Sequence, residues 1–293
     1  MKFGSSGTGV GTSVERVEDA RLLTGHGRYT DDIRLDRMAY AVTLRSPYGH
    51  ADILGVDVEA ARAMPGVLAI YLHADIAHLG ELPCAVPLSG PIRTPRHLLA
   101  KDRVRFVGDG IAFIVAETRE QARAAADAIG VDFDDRPAVA SLEAATAPDA
   151  PLVWPDAPGN RLFTWQAGNG EAADAALAGA HHVTRLRIVQ NRVAPTSMEV
   201  RAAVGEWAAD RGYTLHTGSQ GVAGMRDMLA SLVLKCPKEE LRVVTGDVGG
   251  GFGMKGILYA EYALVLHAAR HLGRPVKWTG ERSDAFQTDT HGR

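Results

Sequence analysis

An α+β fold in two domains is what this sequence predicts, and three observations carry that expectation. Strand-like and helix-like stretches alternate between residues 39 and 134 without the strict strand–helix–strand period of a doubly wound sheet. Residues 141–158 are dominated by Ala, Pro and Asp, which marks a linker. Beyond it, the β-branched run Leu241-Arg-Val-Val-Thr245 leads through Gly246-Asp-Val-Gly-Gly-Gly-Phe-Gly-Met-Lys-Gly256 into a helical rhythm, apolar at 258, 262, 265, 269 and 272. The expected division is a flexible N-terminus over 1–15, a first domain over 16–140, a linker over 141–159 and a second domain over 160–293.

In chain order, Val17–Asp32 is polar and turn-rich and reads as an extended arm. Ala39–Arg45 is a strand closed by the Ser46-Pro47 turn, Ala51–Val58 a second strand, and Glu59–Met64 a short helix stopped by Pro65-Gly66. Val67–Leu72 is a strand, and the proline-spaced stretch His78–Arg96 a loop. Val104–Phe106, Ile111–Ala116 and Val131–Asp134 read as strands, with an Ala-rich helix over Thr118–Ile129. In the second domain, Ala180–Arg192 alternates apolar and polar residues as a long strand would, and Val200–Ala209 and Tyr213–Thr217 follow as strands. Val222–Leu234 is an amphipathic helix ended by Pro237, and Pro275–Trp278 a last strand with no closing element after it.

Composition excludes several classes of function. The 293 residues are 46% hydrophobic and 23% charged, enough for a real core, and a formal net charge of −3 with no basic run argues against nucleic acid. Two distant cysteines, Cys84 and Cys236, cannot hold an iron–sulfur cluster or a multi-cysteine zinc and read as small buried apolar residues. Neither a signal peptide nor an apolar run of about 20 residues is present, so a soluble cytoplasmic protein is expected.

The chemistry concentrates in the glycine loop. Six glycines between residues 246 and 256 allow positive φ and bring bare backbone to a ligand, and their N–H groups backed by a helix suit anionic or oxo groups. Thr217-Gly-Ser-Gln-Gly221 is a second strand-to-helix loop; Ser219 can cap the helix, and Gln220 becomes a ligand-facing amide if both loops share one sheet edge. Gly251, Gly253 and Gly256 also satisfy the dinucleotide pattern, with Glu281 as a late ribose acid, which makes an NAD-binding oxidoreductase a rival reading. Lys255 followed by Gly256 excludes a P-loop. His267 and His271 are spaced i,i+4 but read as a polar stripe on a helix surface, Glu261 as a surface or ion-paired residue, and Met225 and Met228 as core. Glu199 is expected to pair with an arginine such as Arg201 or Arg226.

These residues carry a family resemblance. Arg16–Asp32 resembles the N-terminal arm, and Arg45-Ser-Pro-Tyr-Gly-His-Ala51 with Val107-Gly-Asp-Gly110 the α/β hammerhead domain, of the molybdopterin-binding large subunit in the xanthine dehydrogenase/aldehyde oxidase/carbon monoxide dehydrogenase family. Ser219-Gln220, Asp247–Lys255 and Leu272–Trp278 resemble its first molybdenum-binding domain, which is incomplete here. The resemblance implies molybdopterin, its cytosine dinucleotide form being one option, bound by Gln220, Gly250, Gly251, Phe252 and Gly253. It implies Gln220 as the catalytic contact near the oxo ligand, metal ligation by the pterin dithiolene rather than by protein, and hydroxylation of an aldehyde or N-heterocycle with oxygen from water. Purine-oxidising members carry glutamate after the loop lysine, where Gly256 stands. The family's catalytic glutamate and the cysteine of carbon monoxide oxidisers fall later in the subunit, so a split subunit or truncated product, inactive alone, is expected. Implied partners are a C-terminal molybdopterin-binding chain, an iron–sulfur subunit, an FAD subunit and a small-molecule substrate, with no nucleic acid and no membrane. The alternative of another class is a non-catalytic interaction module.

Overall fold

The computed structural model describes residues 10–11, 16–84 and 92–291. Most of the expected flexible N-terminus and part of the His78–Arg96 loop lie outside them. Ten strands are described: β1 Ala39–Arg45, β2 Ala51–Asp57, β3 Val67–Tyr71, β4 Arg103–Val104, β5 Gly110–Ala116, β6 Gly130–Asp135, β7 Ala202–Ala208, β8 Gly212–Thr217, β9 Leu241–Val244 and β10 Val276–Thr279. The helices are α1 Asp19–Leu23, α2 Glu59–Arg62, α3 Arg119–Asp127, α4 Leu142–Ala145, α5 Gly170–Ala178, α6 Val222–Met228, α7 Ala260–Leu272 and α8 Arg282–Thr288.

Seven strands form one sheet in the order β3-β5-β1-β10-β7-β8-β9, and β4-β2-β6 form a second. The large sheet crosses the sequence-based domain division, because β10 lies parallel to β1 with Ala39 opposite Val276 and antiparallel to β7. β10 is therefore a central strand and no exposed end, and α8 follows it, where the sequence suggested no closing element. The reason is compositional: Val-Lys-Trp-Thr carries no sign of which strands flank it.

Strand β5 shows how the core is divided. Phe113 and Val115 pack with α7 and the β7–β8 core, whereas Ala112, Ile114 and Ala116 pack with Ala122, Ala125 and Ala126 of α3. The period of two sends alternate side chains to two covered faces, so the strand reads as an unbroken apolar run. Thr118 caps α3 by accepting from the Gln121 N–H at 3.2 Å, and Gln121 Oε1 accepts from the Thr118 N–H, a reciprocal capping box. On the other face α7 lies close on β7, where a Cβ on Gly205 would sit 2.6 Å from the Val265 carbonyl. Alanine there would force the helix away.

Several expectations are corrected. The arm contains α1 rather than being wholly extended, since Asp19–Leu23 closes one helical turn. Ala180–Arg192 forms no strand: Leu186, Ile188 and Val189 are exposed, and no described strand offers its ladder partners. Alternation alone does not make a strand without a neighbour to bond. Helix α6 continues into a π-helical stretch, Leu229–Leu234, ended by Lys235 in the left-handed region. Cys84 is exposed and Cys236 only partly buried, so the expectation of two buried thiols fails for the first.

His267 and His271 are also no simple surface stripe. The His267 ring lies 5.2 Å from those of Tyr71 and His78, and His271 Nδ1 is 2.7 Å from the Tyr71 hydroxyl. Burial, then the neighbouring His78 and His271, push the His267 imidazole down to about 4. Its unfolded value is higher, so the unfolded chain binds the extra proton and this site's stability is lost as pH falls from about 6.5 toward 4. His267→Gln is expected to flatten the decline of melting temperature over that window relative to the native chain, as read by calorimetry at stepped pH. The effect is held to about 1–2 kcal/mol because the ring is partly solvated.

Candidate functional site

Strands β8 and β9 pair in parallel, Tyr213 opposite Leu241 and His216 opposite Val244, so both chains leave the sheet at the same edge. Parallel neighbours therefore bring the Gly218–Gly221 loop and the 245–256 loop together, at the carboxyl ends where ligands collect. Three hydrogen bonds lock them. Ser219 N–H donates to Thr245 Oγ1 at 3.2 Å, Gln220 N–H to the Lys255 carbonyl at 3.2 Å, and Gly253 N–H to Gln220 Oε1 at 2.9 Å. The last bond fixes the amide, because only its oxygen can accept; Nε2 is left to point elsewhere.

The loop adopts a shape few sequences allow. Gly250 has φ +95°, Phe252 +50° and Gly253 +90°. A Cβ on Gly251 would meet the Gln220 amide at 2.6 Å, and one on Gly253 would enter open space. Phe252 is 71% exposed. Among the described residues the N–H groups of Gly250, Gly251 and Phe252 have no protein acceptor. Free N–H donors, a fixed amide and an open glycine cradle form a site for oxo or phosphate oxygens.

Ser219 does not cap α6, whose N-cap is Gly221; its hydroxyl instead accepts from the Gly221 N–H at 3.0 Å. The dinucleotide reading also fails locally, because a 3-10 turn over Met254–Gly256 separates the glycines from α7, which starts at Ala260. No helix N-terminus directly backs the third glycine of that pattern. Nor do the described residues contain a group of three His, Cys, Asp or Glu side chains able to hold a metal.

Three contacts around the site escaped sequence reasoning. Asp247 is gripped by Arg21 through Nη1–Oδ2 at 2.5 Å and Nη2–Oδ1 at 2.7 Å, and also accepts from the Arg28 N–H at 2.7 Å. The Arg21 guanidinium, then the Arg28 N–H, hold that carboxyl well below the usual range. Glu199 pairs with Lys255 rather than with Arg201 or Arg226. Arg201 instead meets Glu261 at 3.0 Å and Asp289 at 2.5 Å, while Arg45 meets Glu261 at 2.7 Å. Glu261 is thus a buried ion-paired residue; burial would raise its carboxyl, but Arg201 and Arg45 overcome that and hold it at about 2. The only signal in the sequence is a surplus of charged residues in otherwise apolar elements, which names no partner.

Residues 24–137 match the model of the aldehyde oxidase and xanthine dehydrogenase a/b hammerhead domain, and residues 153–293 that of the molybdopterin cofactor-binding domain. Together these cover most of the chain, which belongs to the aldehyde oxidase and xanthine dehydrogenase family. It is 32% identical to the carbon monoxide dehydrogenase large chain of Afipia carboxidovorans, covering 97% of this chain and 36% of that relative. It is 34% identical to the nicotine 6-hydroxylase large subunit of Paenarthrobacter nicotinovorans, covering 96% and 34%. Among solved structures, quinoline 2-oxidoreductase from Pseudomonas putida 86 superposes with a TM-score of 0.84 at 37% identity, covering 97% of this chain and 36% of that one. The Cu,Mo-CO dehydrogenase gives 0.87 at 30% identity, covering 97% and 37%. The family member described here thus spans about a third of the length of these relatives and corresponds to their N-terminal portion. The hammerhead-plus-cofactor-domain expectation agrees with both matches, and the family assignment sets the NAD reading aside.

Proposed function

We propose that this chain is the cofactor-holding part of a molybdenum hydroxylase that oxidises an aldehyde or N-heterocycle carbon with oxygen from water. The observation that supports the reading best is the Gln220–Gly253 bond, which joins the two loops at one sheet edge and leaves adjacent N–H donors free. When bound, the molybdenum cofactor supplies the two-electron oxidation. The residues of this chain bind and orient. Gly250, Gly251 and Phe252 offer backbone donors, Gln220 offers an uncharged N–H pair, and the exposed Phe252 ring lies beside Gly250. A neutral amide donates without adding charge beside an anionic group, whereas a carboxylate there would repel it. Gly256 after Lys255 favours a non-purine N-heterocycle, the class named in the relatives for quinoline and nicotine.

The proposal includes the rest of a large subunit, carried on the same or a partner polypeptide and supplying the general base, and separate iron–sulfur and FAD subunits as electron acceptors. It also includes the cytosine dinucleotide form of the pterin and a cytoplasmic location. The test is co-expression of the chain with that polypeptide in a host that makes the cofactor, with molybdenum and pterin measured per chain. Near-stoichiometric molybdenum is expected. A folded, assembled complex free of molybdenum would defeat the reading in favour of a non-catalytic interaction module.

Gln220→Ala in that complex is expected to lower kcat on the order of 10²-fold, the usual loss for one positioned donor. Because Gln220 Oε1 also holds the Gly253 N–H, molybdenum content should fall in parallel, and Gln220→Glu should retain the Gly253 bond yet not the rate. Steady-state kinetics normalised to molybdenum separate the two effects.

A further inference from the structure

Lys255 is 1% exposed although it sits in a surface glycine loop, and its only described anionic partner is Glu199. Its ammonium donates to Glu199 Oε2 at 2.7 Å and to the Glu199 carbonyl at 3.0 Å. The same Oε2 accepts from the Gly249 N–H at 2.8 Å, and the Glu199 N–H donates to the Gly249 carbonyl at 3.0 Å. One carboxylate oxygen thus ties together both ends of the loop that carries Gly250, Gly251, Phe252 and Gly253. Glycine is required for this approach: a Cβ on Gly249 would lie 2.5 Å from that of Glu199, and one on Gly218 3.3 Å from Oε2.

Stability alone does not explain the pair. Desolvating two charges is costly, and apolar residues of similar size fill such a space as well or better. The second oxygen, Oε1, is buried with no partner, a further cost. What an apolar pair could not do is accept from the Gly249 N–H while anchoring the far end of the loop. We propose that Glu199 and Lys255 are positioning residues that fix the left-handed turn of the glycine loop and so the placement of its free N–H donors. Their consequence for cofactor retention rests on the function proposed above; their effect on loop geometry does not.

The test therefore has two arms, on Lys255→Met, the double variant Glu199→Met/Lys255→Met, and Glu199→Gln. In the full chain without cofactor, hydrogen exchange is followed by mass spectrometry on peptides spanning 246–256. In the co-expressed complex, molybdenum per chain is measured. Lys255→Met strands a buried carboxylate and lowers the melting temperature. The double variant, free of buried charge, restores the melting temperature but is expected to exchange about tenfold faster in the loop and to hold less molybdenum. Glu199→Gln keeps an oxygen for the Gly249 N–H and the backbone carbonyl for Lys255 but removes the charge that balances the buried ammonium, so exchange accelerates mainly toward residues 252–255. A double variant with native exchange and native molybdenum would show that the pair only fills space and overturn the proposal; should that variant not fold, unchanged exchange in Glu199→Gln does the same. A native chain that takes up no molybdenum defeats the proposed function and leaves the exchange arm to decide this inference.

Discussion

Replacing Gly253 with valine is expected to strip the assembled large subunit of molybdenum while its melting temperature moves by only a few degrees. Gly253 holds φ +90°, which a β-branched residue adopts only under strain of about 1–3 kcal/mol. The added side chain meets no protein atom within 4 Å, so the core is not disturbed and the branch projects into the open cradle instead. Strain in the loop is relieved by moving the Gly253 N–H off Gln220, which also frees the amide. Strain of that size alone lowers occupancy roughly 5- to 150-fold, before any clash with a bound group. Metal analysis of the purified complex beside calorimetry checks the result. Stoichiometric molybdenum in the valine variant would remove the glycine loop from the site.

Arg201→Met carries the largest expected cost in stability. The guanidinium is 2% exposed, lies 3.8 Å over the Tyr259 ring, and is shared by Glu261 of α7 and by Asp289, just beyond α8. Methionine keeps much of the volume but leaves Asp289 unpaired and Glu261 with Arg45 alone. Breaking a buried pair in this way costs about 3–5 kcal/mol, against near neutrality when both partners are replaced. The penalty depends on pH. Folded Glu261 is held at about 2, below its unfolded value, so its contribution is present above about 4.5 and is lost as pH falls toward 2. The gap between Arg201→Met and the native chain should therefore narrow on acidification, which denaturant titrations at pH 7 and pH 4 would reveal. A constant gap would mean that Arg201 acts through its packing on Tyr259.

The loops of the candidate site were partly legible because their requirements are local. Six glycines after a β-branched run announce positive φ, and Gly250 and Gly253 adopt it; Phe252 does so without being glycine, which no propensity predicts. Thr217–Gly221 was readable as a second loop from its strand and helix patterns. Local patterning also placed β1, β3 and α3 to within two or three residues, as caps and turns are short-range signals. The same reasoning misjudged Ala180–Arg192, whose alternation was satisfied while its pairing was not.

By itself, then, the sequence determined the glycine loop, the family to which it points, and the elements whose periodicity needs only their own residues. Tertiary structure alone decided that β1 and β10 join the two halves in one sheet, that Arg21 reaches Asp247 across 226 positions, and that Glu199 selects Lys255 over nearby arginines. The physical reason is range. Backbone propensity and capping act over a few residues, whereas a strand's neighbour and a buried charge's partner depend on which distant segments the packed core brings within hydrogen-bond reach.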